Sequence, residues 1–199
     1  LARQGFADST GLAAASLGRE ARIHYGRGEY QQAIALYLEQ LAAGDDRAVQ
    51  SLQTTAAAAL DAPESLPQLA LDAKARQVIT AYLVSCGDSL WEDVEEAEGL
   101  SGRAVTAWLH AIAAAKVKDV ELAEKLALAA YQGGAFEEAQ GWIKRSANSP
   151  LAQWLQAKLW LRQGKVSQSA PLLAKVSRLF PLESSGTNAP VRFTDNLDM

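Results

Sequence analysis

Apolar residues recur every three to four positions through most of this chain. Leu17, Ala21 and Tyr25 form an i, i+4, i+8 stripe, and beyond Gly26-Arg27-Gly28 the residues Tyr30, Ile34, Tyr37, Leu38 and Leu41 repeat the helical spacing. This predicts two short helices joined by a tight turn. Glycine takes positive φ at little steric cost, so it can end the first helix and reverse the chain. Ala21 and Ala33 are small where two close-packed helices need small residues. Asp46 is a plausible cap for a third helix over 47–60, with Val49, Leu52, Ala56 and Leu60 as its stripe. Pro63 and Pro67 leave 65–72 a short helix or an irregular link. Asp72 then caps a helix over 73–86, with Ala75, Val78, Ile79, Tyr82 and Leu83 on one face.

The second half opens with 87–102, predicted to hold a short surface helix. Trp91 and Val94 take one face, Asp93, Glu95, Glu96 and Glu98 the other, and Ser89 with Glu92 fits a capping box. The acidic run reads as a solvated face, and Gly99-Leu100-Ser101-Gly102 reads as a lead-in to the next helix. From Arg103 the periodicity strengthens, with Val105, Trp108, Leu109 and Ile112 on one stripe. Helices over 120–131 and 136–143 flank Gly133-Gly134, and helices over 150–162 and 166–180 flank Gln163-Gly164. Pro171 is tolerable in the last of these if that helix begins near Ser167, because the first helical N–H groups have no intrahelical partner.

The hairpin over 17–41 resembles one tetratricopeptide repeat, carrying Leu17, Ala21, Tyr25, Gly28, Glu29-Tyr30, Ala33 and Tyr37 at that family's positions. It departs at His24, where a Tyr is usual, and at Asp45, where a Pro is usual. A second unit is similar, through Ala127, Gly134, Phe136, Ala139 and Ile143. A third carries Ala157, Trp160, Gly164, Leu173 and Pro181, and departs at Ser169, where the family prefers Ala. The turn glycines suit a period of ~34 residues, with about three periods between Gly28 and Gly134. The middle should then hold two degenerate hairpins, and one of 64–72 or 89–98 is an insertion. The resemblance implies an all-α, right-handed α-solenoid of stacked antiparallel hairpins over 12–181, with a lead-in over 1–11 and a linker or disordered tail over 182–199. It also implies that first-helix residues facing the groove bind a peptide. That surface takes Arg19, Arg22 and Tyr25 from the first unit, Glu124, Leu128 and Tyr131 from the second, and Trp154, Lys158 and Arg162 from the third. Basic and aromatic side chains in that pattern suit an extended peptide with acidic groups. Trp154 and Tyr131 are placed on the side opposite the small residues that pack the hairpins.

Composition agrees with the all-α class. Hydrophobic residues make up 49% of the 199 positions, largely alanine, with only 6 prolines. The net charge is −4, and its 19 basic and 23 acidic residues are interspersed, which argues against a nucleic-acid partner. No apolar run approaches the ~20 residues of a membrane span. Cys86, the only cysteine, sits in an apolar run and reads as a buried, inert thiol. Leu1 in place of a start methionine suggests a mature form or part of a longer chain, and the compartment stays open between cytoplasm and bacterial periplasm. His24 and His110 fall in no metal-ligand spacing, and no phosphate-binding or nucleophile-elbow motif occurs, so no metal, cofactor or catalytic residue is assigned. Of the tryptophans, Trp108 and Trp160 read as core. The expected function is a non-catalytic interaction or scaffolding module that binds a protein or peptide. The alternatives are a helical accessory arm of a larger enzyme, such as a cell-wall-cleaving enzyme, and a helical enzyme with a site in the groove.

Overall fold

The computed structural model describes residues 12–87, 97–117, 122–146 and 149–178. Among them are ten α-helices, one 3-10 turn and no strand. They run α1 (Leu12–Gly26), α2 (Tyr30–Ala42), α3 (Arg47–Leu60), the 3-10 turn (Pro63–Ser65), α4 (Leu66–Leu71), α5 (Ala73–Gly87), α6 (Ala97–Ala114), α7 (Ala123–Gln132), α8 (Phe136–Arg145), α9 (Pro150–Arg162) and α10 (Val166–Val176). The chain divides into two compact units. Of the described residues, the first takes 12–82 and 110–116, and the second 83–87, 97–109, 117, 122–146 and 149–178. The expected lead-in and tail, and the 88–96 segment with Ser89, Trp91, Glu92 and Val94, lie outside the described residues.

In the first unit α1 folds back on α2. Ala21 and Ala33 are fully buried where the helices cross, and a Cβ on Gly18 would lie 2.7 Å from the Gln40 side chain. Gly28 has φ 73°. Its N–H donates to the Tyr25 carbonyl at 3.0 Å, and that of Glu29 to the His24 carbonyl at 3.0 Å. This paired closure satisfies the last carbonyls of α1. Gly44, φ 85°, ends α2 in the same way, with bonds to Leu41 and Gln40. At the start of α3 the structure corrects the sequence reading. Asp46 makes no side-chain cap bond. Asp45 accepts from the Arg47 backbone N–H at 3.2 Å instead. The buried face of α3 is Ala48, Leu52, Thr55, Ala56, Ala59 and Leu60, with Val49 at its edge. Proline N–H groups are missing at Pro63 and Pro67, so 63–71 forms a 3-10 turn and six residues of helix. Asp72 caps α5 through the Ala75 N–H at 2.8 Å. Val78, Ile79, Thr80 and Ala81 are all buried, so α5 has no single stripe, and Tyr82 is only half-buried.

In the second unit α6 begins at Ala97, and Gly99 to Gly102 are helical rather than a lead-in. Gly102 comes close to the Gly133 carbonyl, 3.3 Å from an added Cβ, and a Cβ on Gly133 would lie 3.0 Å from Val105. The two glycines let α6 approach the end of α7. Trp108 is fully buried. Helices α7 and α8 form one hairpin and α9 and α10 another, and α9 packs on both α7 and α8. Gly134 and Gly164, with φ 76° and 73°, close the turns with the bond pair seen at Gly28. Ala127 faces Ala139 and Ala157 faces Ser169 in the register of Ala21 and Ala33, and all four are fully buried. The Ser169 hydroxyl donates to the Ala157 carbonyl at 2.9 Å, which explains how a polar residue fits this crossing. Two further readings change. Trp160 and Cys86 are half-buried rather than core. Because α10 starts at Val166, Pro171 falls in its second turn and leaves the Ser167 carbonyl without an i+4 donor.

Candidate functional site

The residues expected to line a groove fall into both units. Arg19, Arg22 and Tyr25 stand on α1 in the first. Leu128, Tyr131, Trp154, Lys158 and Arg162 stand on α7 and α9 in the second. Each set takes its geometry from the turn that follows it.

On α1, Arg19 and Arg22 are exposed and Tyr25 is half-buried. The Tyr25 ring meets the Tyr30 ring edge-on, 6.3 Å between centroids. His24 reaches across the same turn, its Nδ1 2.5 Å from the Glu29 carboxylate. Burial raises the Tyr37 phenol above its ordinary pKa, opposed by a hydrogen bond with Ser51 and the charge of Arg22.

In the second unit the α7–α8 turn repeats the arrangement of the α1–α2 turn. The Tyr131 ring meets Phe136 edge-on at 5.7 Å, as Tyr25 meets Tyr30. The Arg162 guanidinium lies over the Phe136 ring, 4.2 Å from its centroid. Lys158 sits 5.1 Å from the Trp154 ring, one helical turn along α9. The Ser149 hydroxyl, at the N-cap of α9, donates to the Glu124 carboxylate of α7. The Gln140 amide donates to the Gln156 carbonyl oxygen, α8 to α9, at 2.6 Å. Leu128, Tyr131, Trp154 and Lys158 are half-buried, and Arg162 is exposed.

The placement of the aromatics needs correcting. Tyr131 is four residues from Ala127 and Trp154 three from Ala157. Helical neighbours at those spacings share a face, so both rings flank the seam of small residues rather than oppose it. That is why Tyr131 reaches Phe136. Arg162 over Phe136 was not foreseen, because no local spacing relates a residue to one 26 positions away.

The remaining candidates are sparse. A cleft of about 170 Å³ in the first unit is lined by Gly28, Glu29, Tyr30, Gln31, Gln32, Ser65, Gln68 and Leu69. Two of its lining side chains are bonded, the Gln68 amide to Gln31 at 3.2 Å and the Gln31 amide to Asp72 beside the cleft at 3.3 Å. Among the described residues no group of three or more His, Cys, Asp or Glu side chains could hold a metal ion. His110 is exposed on α6. No helix of the described residues is long and apolar enough to cross a membrane. Compared with protein-family models, with curated proteins and with solved structures, the chain matches none.

Proposed function

We propose that this chain is a non-catalytic binding module built of tetratricopeptide-like hairpins, and that it takes an extended, acidic peptide of a protein partner along α7 and α9. The observation behind this reading is the pairing of two first helices, α7 against α9, that together leave Leu128, Tyr131, Trp154 and Lys158 half-exposed. A face that only met water would have no reason to carry a tryptophan and a tyrosine. Aromatic and cationic side chains are the usual energetic anchors of interfaces. Lys158 over Trp154 and Arg162 over Phe136 hold two cations in fixed positions, which lowers the entropy lost when a carboxylate binds them. The exposed Arg19 and Arg22 offer the same charge on α1.

Selection from a displayed peptide library tests the reading. Enriched sequences should be acidic, and Trp154→Ala and Lys158→Ala should each weaken their binding while the melting temperature stays within a degree or two. If no sequence is enriched, or if binding ignores both substitutions, the α7–α9 face is not the binding surface.

A further inference from the structure

The α8–α9 contact shows what one side of a second hairpin helix is for. On α8, Phe136 and Gln140 stand one turn apart, and α9 covers both, with Arg162 over the Phe136 ring and Gln156 bonded to Gln140. Counted from the turn glycine, the same two positions on α10 are Val166 and Ala170. Both are exposed, Val166 to 60%, and Ala174, one turn further on, is exposed as well. Leu161, in the register that Tyr25 and Tyr131 occupy in their hairpins, is also exposed, at 39%. The side of α10 that corresponds to the covered side of α8 is therefore open and aliphatic.

The last hairpin carries charge of one sign along its sequence. From Pro150 to Arg178 the sequence has five basic residues, Lys158, Arg162, Lys165, Lys175 and Arg178, and no aspartate or glutamate, in a chain whose net charge is −4. Lys165, Lys175 and Arg178 are exposed on or beside α10.

We propose that this side of α10 is a docking site for an acidic amphipathic helix of a partner protein. The shape follows from continuity with the α8–α9 interface, where the equivalent side takes a helix. The chemistry follows from the substitutions. Val166 and Ala170 in place of Phe136 and Gln140 call for small aliphatic residues on the incoming helix, and the exposed Lys165, Lys175 and Arg178 call for Asp or Glu on its flanks. A nucleic acid would use the lysines but not the aliphatic stripe. The inference rests on the reading of the chain as a binding module but uses a different face, so the two can fail separately.

The test uses the whole chain and a fluorescein-labelled synthetic helix with Leu and Ala along one face and Glu along the other. Anisotropy should report saturable binding that weakens as salt is raised. A peptide of the same composition, scrambled to break the apolar face, should bind at least roughly tenfold more weakly. Ala170→Glu, and separately Lys165→Glu with Lys175→Glu, should each cost roughly tenfold, with helical content unchanged, whereas Trp154→Ala should have no effect. Should Ala170→Glu lower the melting temperature, Ala170→Gln, which copies α8, gives the same reading without a new charge. Equal binding of the scrambled peptide, or loss on Trp154→Ala with none on Ala170→Glu, would overturn the proposal. So would binding of phosphatidylserine vesicles or single-stranded RNA in place of the peptide, or the absence of any binding.

Discussion

Asp45 joins three groups that sequence separates. Its carboxylate accepts the Arg47 Nε and Nη2 at 2.8 Å each and the Gln40 amide at 2.8 Å. These bonds, that to Arg47 foremost, hold its pKa well below the usual carboxylate value. The unfolded chain titrates near the ordinary ~3.9, so both states are ionised at neutral pH and the stabilisation is fully present. As pH falls below about 4 the unfolded state takes up the proton first and the stabilisation is lost. The effect is small, because Arg47 is largely in solvent. The difference in urea midpoint between wild type and Asp45→Asn should be largest at neutral pH and shrink below about pH 4. A constant difference would mean that the charge of Asp45 is not what stabilises the turn.

Ser169 sets a second residue-scale expectation. Its hydroxyl adds a bond to the Ala157 carbonyl, but what the crossing demands is small volume. Ser169→Ala removes a donor with its hydrogen bond and should cost about 1 kcal/mol or less. Ser169→Leu should cost about 1–3 kcal/mol by overpacking two helices already in contact. Urea unfolding of both variants separates size from polarity, and a Leu variant as stable as wild type would show that the crossing is loose.

The elements depend on their ends. An added Cβ at Gly134 or Gly164 would meet nothing within 4 Å, yet both glycines have positive φ. Replacement there strains only the backbone. Gly134→Val and Gly164→Val should each cost on the order of 1 kcal/mol or more, and Gly134→Asn less, since Asn tolerates the left-handed region. Gly133→Ala is a different case. Its φ is unexceptional, and the cost comes from Val105, whose Cγ2 and Cβ would lie 3.0 and 3.1 Å from the added Cβ, so adding Val105→Ala relieves only the γ-carbon contacts and the two costs should be less than additive. If Gly133→Ala is harmless alone, α6 does not press on the end of α7 as described. The hairpins were legible because their signals are local: glycine at the turn, a small residue on each side of it, and apolar residues at helical spacing. Helices α5 and α6 were less legible. Burial on several sides erases the stripe of α5, and Gly102 inside α6 reads as a break until its close approach to the end of α7 is known.

At the scale of the molecule, the chain gives helices throughout its described residues and two compact units rather than one recognised domain. A far-UV circular-dichroism spectrum should show helix and no strand component, and a substantial strand signal would contradict the architecture. Charge is distributed unevenly at this scale. Acidic residues cluster in the 92–98 stretch and are missing from Pro150–Arg178, so a chain of net charge −4 ends its last hairpin with a basic surface. What the sequence determined by itself is most of the described helices and the three glycine-centred hairpins, because helix periodicity, turn conformation and the need for small residues at a crossing act over a few neighbouring positions. The tertiary structure alone decided which cations are seated on rings and which side of a helix is covered. Arg162 and Phe136, or Gln140 and Gln156, meet only because two helices pack at one angle and depth, and no spacing along the chain encodes that. Tyr131 shows the boundary between the two: its position on α7 follows from the sequence, and its contact with Phe136 follows from the turn closing.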